Sequence, residues 1–335
     1  MKWVVRLVLF LLIAAHIILA IWFTNHVHQE FNTRRIVPED QRYIRIQSGA
    51  SLKEVLKQLH GRDLMPDPEL AHLVIRVFKK DVIVKTGTYR LPEEVSALEV
   101  IDILHRGDEA LFKLTVPEGL DIWDMAATLG STRWGDADEF LQVLKDPKHI
   151  TDLDPEAINL EGYLLPETYF LPQDLTPDEV VGVLTQHFKD QTESLWPLLQ
   201  GSGLTVRQWV TMASLIEKET AIASERYTIS GVFHRRLEKK MLLQCDPTII
   251  YALKLMNRYR GKIYRSDILI DHPYNTYVYV GLPPGPIASP GKASLEAALN
   301  PEQHRYLFFV AKNDGSHHFS ETLREHTRAV QQYQR

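Results

Sequence analysis

Cysteine is almost missing from this 335-residue chain: Cys245 stands alone. That excludes an intramolecular disulfide and any multi-cysteine metal site, and leaves a buried inert thiol or a nucleophile as the readings of Cys245. Positive charge is not in excess either. The 38 Lys and Arg against 43 Asp and Glu leave −5, and no Lys/Arg-rich run occurs, so no nucleic-acid partner is expected. The chain also lacks a Gly-x-Gly-x-x-Gly, a P-loop and a His-Glu-x-x-His, so no cofactor and no metal are expected. Its 14 histidines are many, but His317-His318 and His326 have no tight ligand spacing with a nearby acid. Fragments of a penicillin-binding signature do occur, Ser289-Pro-Gly-Lys292 and Lys85-Thr-Gly87. Pro290 and Gly291 cannot build the helical turn that sets Ser against Lys, and the Lys-Thr-Gly precedes the Ser instead of following it.

What the chain does have starts at its N-terminus. Residues 7–23 carry no formal charge and only His16 interrupts them, with Trp3, Val4 and Val5 extending the run past Arg6. That is the lower end of a membrane-spanning length, with Trp3 and Trp22 placed for the two headgroup belts. A cleaved signal peptide competes, but its apolar core would be shorter, and Ile18 stands where a small residue should precede Ala20. Residues 1–25 are therefore read as an uncleaved anchor and 26–41 as a linker. Lys2 and Arg6 put the short end in the cytoplasm and everything after about residue 25 outside the cytoplasmic membrane; Arg34 and Arg35 weigh against this without reversing it.

Beyond the linker the expected class is α+β: a small α+β subdomain at 42–110 and a larger mixed α/β domain at 111–335. Three helix starts repeat a cap followed by an acid three residues on: Ser51 with Glu54, Ser96 with Glu99, Asp121 with Asp124. Residues 147–177 are rich in Pro, Asp and turns, and read as an irregular connection with Tyr163, Tyr169 and Phe170 as anchors. Helices are expected over 177–196, 205–220, 224–240 and 294–299 and at the C-terminus. A short β-like run falls at 276–280, in a loop spanning 274–290, and a strand at 306–311.

The 205–220 helix is the most informative. A capping box, Thr205 with Gln208, opens it, and Val206, Trp209, Val210, Met212, Ala213, Leu215 and Ile216 form an apolar stripe. The stripe calls for another apolar residue near 219, where Glu219 stands instead. A carboxyl over Leu215, Ile216 and Met212 is desolvated and keeps its proton near neutrality, which suits a general acid. A solvated last helical turn is the competing reading, and Glu217 is left to support or to solvent. Around Glu219 the sequence offers Gln244, Asp246 and Thr248, then Tyr274, Asn275 and Tyr277. Rings and amides of this kind suit a sugar polymer. A hydrolase would need a second carboxyl, Asp246 or Glu161; a single glutamate suffices if the nucleophile is the sugar's own hydroxyl. Asp246-Pro247 also reads as a plain helix start, and Tyr274 and Asn275 as loop packing.

TMASLIEKETAIASERYTISGVFHRRL, LQCDPTIIYAL, YNTYVYVGLPPGPIASPG, GSHHF, VPEG and EGYLLPETY together resemble the endolytic murein transglycosylase (YceG-like) family over nearly the whole chain after the anchor. The resemblance implies a single-pass inner-membrane protein with a periplasmic LysM-like subdomain and a catalytic domain. It implies non-hydrolytic cutting of peptidoglycan glycan strands between MurNAc and GlcNAc, leaving a 1,6-anhydro end and terminating elongation. Peptidoglycan synthases are the implied partners. The family's catalytic glutamate falls on Glu219, with Gln244, Asp246, Tyr274 and Asn275 as substrate-binding candidates. Cys245 and His318 depart from the family pattern, and neither is expected to touch the acid. A membrane-tethered hydrolase and a non-catalytic wall-binding scaffold remain the rival readings.

Overall fold

The Ser-x-x-Glu pattern forms in space what it promises in sequence. Ser51 Oγ accepts from the Glu54 N–H while the Glu54 carboxylate accepts from the Ser51 N–H, starting the Leu52–His60 helix. Ser96 and Glu99 repeat the exchange ahead of Ala97–Arg106, so two otherwise orphaned donors are satisfied at each start. The third start departs from the pattern. Asp121 caps Ile122–Gly130, but Asp124 gives no return bond and turns its carboxylate to Lys254 at 2.9 Å.

The computed structural model describes residues 2–78, 82–220 and 222–334; the side chains of Lys2, Val4 and Val5, and Ala221 of the quoted motif, lie outside the described residues. The chain divides into two units, Met1–Phe112 with Pro172–Asp174, and Lys113–Leu171 with Leu175–Arg335. Among the described residues every strand pairing is two-stranded and helices predominate, a mixed α/β arrangement.

In the first unit Tyr43–Ile46 pairs antiparallel with Gly87–Arg90, Tyr43 opposite Arg90 and Ile46 opposite Gly87. Two helices, Leu52–His60 and Pro68–Phe78, lie between them in sequence. Alternation turns Ile44 and Ile46 inward, onto a core with Leu56, Leu59, Tyr89, Val100 and Leu104. The N-terminal helix is Lys2–Asn32, and its Arg6–Asn32 stretch, which holds an 18-residue window of mean hydropathy 2.6, is long and apolar enough to cross a membrane. It runs on through residues 26–32, where a linker was expected. Phe31 is buried in the first unit's core and Val27 packs against it, so this stretch is docked helix, not free spacer.

The second unit is organised around the Val206–Glu219 helix, opened by the Thr205–Gln208 capping box. Trp209 to Ile216 are all buried, and the helix packs on Lys292–Leu299, Glu225–Glu238 and Asp246–Leu255. Trp209 Nε1 donates to the Leu295 carbonyl at 2.8 Å, which satisfies the one polar atom of a fully buried ring. The irregular 147–177 segment is tied to this helix through Asp154. It accepts from the Tyr163 hydroxyl at 2.6 Å and takes Arg207 in a fork at 2.9 and 3.0 Å. Gly162 sits at φ 84°, where a Cβ would lie 2.7 Å from Pro286 and 2.8 Å from Val210, so only glycine fits. Phe170 is not an anchor: in the short Thr168–Pro172 strand it alternates outward and is 60% exposed, while Tyr169 and Leu171 point in. The β-like run at 276–280 is turns instead, because the Val278 and Tyr279 N–H groups both return to the Asn275 carbonyl. Phe308–Ala311 and His317–Ser320 form an antiparallel hairpin with Ala311 opposite His317, followed by Leu323–Tyr333.

Candidate active site

Glu219 is the last residue of its helix, and Thr220 after it is already extended. Here the side chain leaves the apolar stripe and enters a cleft of about 510 Å³ built from distant segments. Arg236 comes from Glu225–Glu238, Gln244 from the next connection, Asp246 from the start of Asp246–Leu255, Tyr277 from the turn-rich loop, and His317 from the C-terminal hairpin. A cleft does open beside Glu219, but polar groups dominate it where an apolar face was expected. Burial still raises the carboxyl's pKa above the ordinary range. A hydrogen bond from the Cys245 thiol opposes that rise, the Asp246 charge adds to it, and His317 and Arg236 oppose it further.

Cys245 therefore lies close enough to act on the acid's pKa. It is buried, and burial followed by the neighbouring Glu219 pushes its thiol pKa well up, so it stays protonated and acts as a donor. Its backbone is fixed from the facing loop: Gln244 N–H donates to the Thr276 carbonyl at 3.1 Å and Cys245 N–H to Thr276 Oγ1 at 3.0 Å. Gln244 itself is held at φ 53°, a left-handed conformation that a non-glycine residue adopts at a cost, and its side chain lines the cleft. Asp246 opens the Asp246–Leu255 helix, with Cys245 in the cap position, and accepts from the Tyr277 hydroxyl at 2.5 Å.

Arg236 is buried by three carbonyls, donating to Leu307 at 2.7 Å, Leu243 at 2.8 Å and Leu242 at 3.2 Å, with its guanidinium 5.1 Å from the Phe308 ring. It thereby fastens the 242–243 connection to the hairpin while adding positive charge near Glu219. His317 is held by Glu225, whose carboxylate meets its ring Nδ1 at 2.7 Å and accepts from its backbone N–H at 2.9 Å. The same carboxylate accepts from Thr220 Oγ1 at 3.3 Å, so one side chain links the end of the Glu219 helix to the hairpin.

Two of the expected substrate residues do not line this cleft. Asn275 is fully buried and spends its amide on its own loop, with Nδ2 donating to the Ile268 and Ile270 carbonyls and Oδ1 accepting from the Tyr277 N–H. Tyr274 packs against Tyr251 with ring centroids 4.9 Å apart and tilted by 41°, and burial followed by the nearby Glu161 pushes its hydroxyl up to about 12. Both are loop structure, and what they position is Tyr277. Glu217 is support, not solvent. Its carboxylate accepts from the Gly291 N–H at 3.0 Å and Ser294 Oγ at 2.7 Å, capping Lys292–Leu299 from a neighbouring helix, with Arg226 3.7 Å away. Glu161 is buried away from the cleft, accepting from the Ile122 N–H at 2.9 Å.

Arg236 and His317 in the cleft, with Glu225 behind His317, are the residues that reading the sequence passed over as site members; Tyr277 stood in the Tyr274-to-Tyr277 run but not among the substrate-binding candidates. Arg236 did leave a signal, since Ile229, Val232 and Phe233 make an apolar stripe that it interrupts. Glu225 left none.

With the geometry in place, comparison with known proteins is direct. A model of the YceG-like family matches residues 44–332. An endolytic murein transglycosylase of Bacillus subtilis (strain 168) is 32% identical over 306 residues, covering 87% of this chain and 84% of that protein. A protein of the same name from Streptococcus pneumoniae serotype 2 is 29% identical, covering 76% of this chain but only 52% of the longer relative. A crystal structure of a YceG-like protein from Listeria monocytogenes matches with a TM-score of 0.59 at 29% identity, over 86% of this chain and 98% of that one.

Proposed function

The chain belongs to the YceG-like family, and on that premise we propose that it is an endolytic murein transglycosylase with Glu219 as general acid and then base. One observation carries the assignment. Glu219 enters a cleft where burial raises its pKa, so it holds a proton to give. It protonates the oxygen leaving from C1 of MurNAc as the C1–O bond to the next GlcNAc breaks. The C6 hydroxyl of the same MurNAc then attacks C1 and returns its proton to the Glu219 carboxylate. No water is consumed, a 1,6-anhydro end forms, and the acid is restored. Gln244 and Asp246 orient the sugars, Asp246 being itself held by Tyr277. Cys245, His317 and Arg236 set how readily Glu219 gives up its proton.

Asp246 shares the cleft with Glu219, so a two-carboxylate hydrolase is the rival reading that the geometry favours next; Glu161 has no part in it. Mass spectrometry of cut strands separates the two, because an anhydro end is one water lighter than a hydrolysed one. Glu219→Gln, with folding checked by circular dichroism, is expected to lower cleavage by about 10²–10⁴-fold. Unchanged cleavage would falsify the assignment and leave the wall-binding scaffold.

The proposal extends to place. Residues 1–25 span the inner membrane once with the catalytic domain in the periplasm, supported by the apolar helix and by a wall polymer as substrate. The strand–helix–helix–strand unit within 42–110, with its own core, supports a LysM-like module. Cutting strands near the membrane fits termination of elongation beside peptidoglycan synthases.

A further inference from the structure

The N-terminal helix has 31 residues, about 46 Å at 1.5 Å per residue, whereas the hydrocarbon core of a bilayer takes about 20 residues and each headgroup layer adds only about 5–8 Å. The apolar run ends at Phe23, and Thr24, Asn25 and His26 follow it. Val27, one turn or about 6 Å further on, already packs against the first unit's core, and Phe31 is inside it. A unit clasping those turns has no room to stand clear of the headgroups.

On the face beside those turns lies a groove of about 540 Å³. Its walls include Phe23, Val27, Leu73, Val74, Val77 and Leu98. Leu73 and Val77 are 55% and 52% exposed on the Pro68–Phe78 helix, more apolar surface than a water-facing helix normally shows in one place. The polar side chains in the groove are already engaged with their own helix. Thr24 Oγ1 donates to the Ala20 carbonyl at 2.9 Å, Asn32 Nδ2 donates to the His28 carbonyl at 2.8 Å, and Asn32 Nδ2 meets His28 Nδ1 at 3.2 Å. The groove therefore offers an occupant almost nothing but apolar contact.

We propose that this groove is a lipid contact, filled by the acyl-chain and glycerol region of the adjoining leaflet, which seats the first unit on the bilayer surface. The inference rests on the membrane-spanning reading of residues 1–25. Its occupant is set by continuity: the groove begins at Phe23, where the helix leaves the hydrocarbon, and its apolar wall continues the anchor's own lipid-facing surface. Burying the two exposed side chains in the interface adds to the anchor's hold and fixes the unit's height and tilt.

The test is spin-label accessibility in proteoliposomes of the full chain, with the buried Cys245 replaced by Ala and one label at a time at Leu73, Val77, Leu12 or Lys57. Leu12 lies in the anchor, and Lys57 is exposed on Leu52–His60. Oxygen concentrates in lipid, and a soluble nickel chelate stays in water. Labels at Leu73 and Val77 are expected to follow Leu12, with the oxygen-to-nickel collision ratio raised severalfold over that at Lys57. A water-like ratio at Leu73 and Val77 overturns the inference, as does protection from both reagents, which would mean a second copy or another protein in the groove. If Leu12 is itself water-accessible, the anchor reading has failed and this inference with it.

Discussion

Glu161 gives the sharpest quantitative prediction. It is 2% exposed, and burial pushes its pKa from 4.5 up to about 8 against the opposing bond from the Ile122 N–H. Its Oε1 faces the neighbouring Tyr251 hydroxyl, and both are buried. The folded chain thus keeps a proton that the unfolded chain releases above pH 4.5. Unfolding then releases a proton, so the group's effect on stability is absent below pH 4.5, grows by about 1.4 kcal/mol per pH unit, and levels off near pH 8 at about 5 kcal/mol of destabilisation. Glu161→Gln removes that dependence while its amide oxygen still accepts from Ile122. Urea unfolding of the detergent-solubilised chain, followed by tryptophan emission at pH 5, 6, 7 and 8, reads the difference between the two proteins. The variant should match the parent near pH 4.5 and exceed it by about 3 kcal/mol at pH 7. Parallel curves across that range would show that Glu161 does not hold its proton in the fold. Strand cleavage at pH 7 should persist in the variant; its loss with folding intact would return Glu161 to the chemistry.

Other substitutions probe the cleft and its supports. Cys245→Ser puts a stronger donor against Glu219 and should lower its pKa, moving the alkaline limb of the pH–rate profile for strand cleavage down; Cys245→Ala removes the donor and should move that limb up. The same shift in both variants would mean that the thiol acts through packing. Glu217→Ala uncaps Lys292–Leu299 and leaves Arg226 with Glu118, 3.6 Å away, and the Ser294 Oγ that accepts from its Nε at 3.1 Å. Chemical denaturation should show a loss of about 3 kcal/mol, as expected when a buried pair loses one member, and a loss under 1 kcal/mol would contradict the role given to it. Glu225→Gln weakens a charge-assisted bond to His317 by about 1.4 kcal/mol, and kcat should fall about tenfold with KM held if the imidazole matters only in the transition state. A change confined to KM would place His317 in ground-state binding.

Much of the helical frame was legible because it is local. Ser51–Glu54, Ser96–Glu99 and Thr205–Gln208 each need only four consecutive residues to specify a helix start, and all three form. Asp124 shows the limit of that signal, since a lysine 130 positions away takes its carboxylate from the cap. The cleft was less legible because its members meet only through tertiary packing. Within Tyr274-Asn-Thr-Tyr277 the sequence could not tell which ring would face the sugars. The answer depends on Asn275 bonding two carbonyls of its own loop, which turns Tyr274 inward and lets Tyr277 reach Asp246. Cys245 looked inert for the same reason, its contact with Glu219 being set by Thr276.

Glu219 was found because it breaks an apolar stripe, but the desolvation that raises its pKa comes from the segments covering the helix end, not from that stripe. The same reasoning applied to the next helix is more powerful. Ile229, Val232 and Phe233 are followed by Arg236 at the next inward position, and all four are buried. The two helices pack together, and both charges line one cleft. Burying either charge alone costs several kcal/mol, so each interruption is hard to explain singly. Two adjacent helices whose buried faces are broken by acids on one, Glu217 and Glu219, and by arginines on the other, Arg226 and Arg236, are therefore a pairing signal. That signal sets the two helices against each other from sequence, without any knowledge of the loops that complete the site, and Arg226 with Glu217 at 3.7 Å is its direct expression.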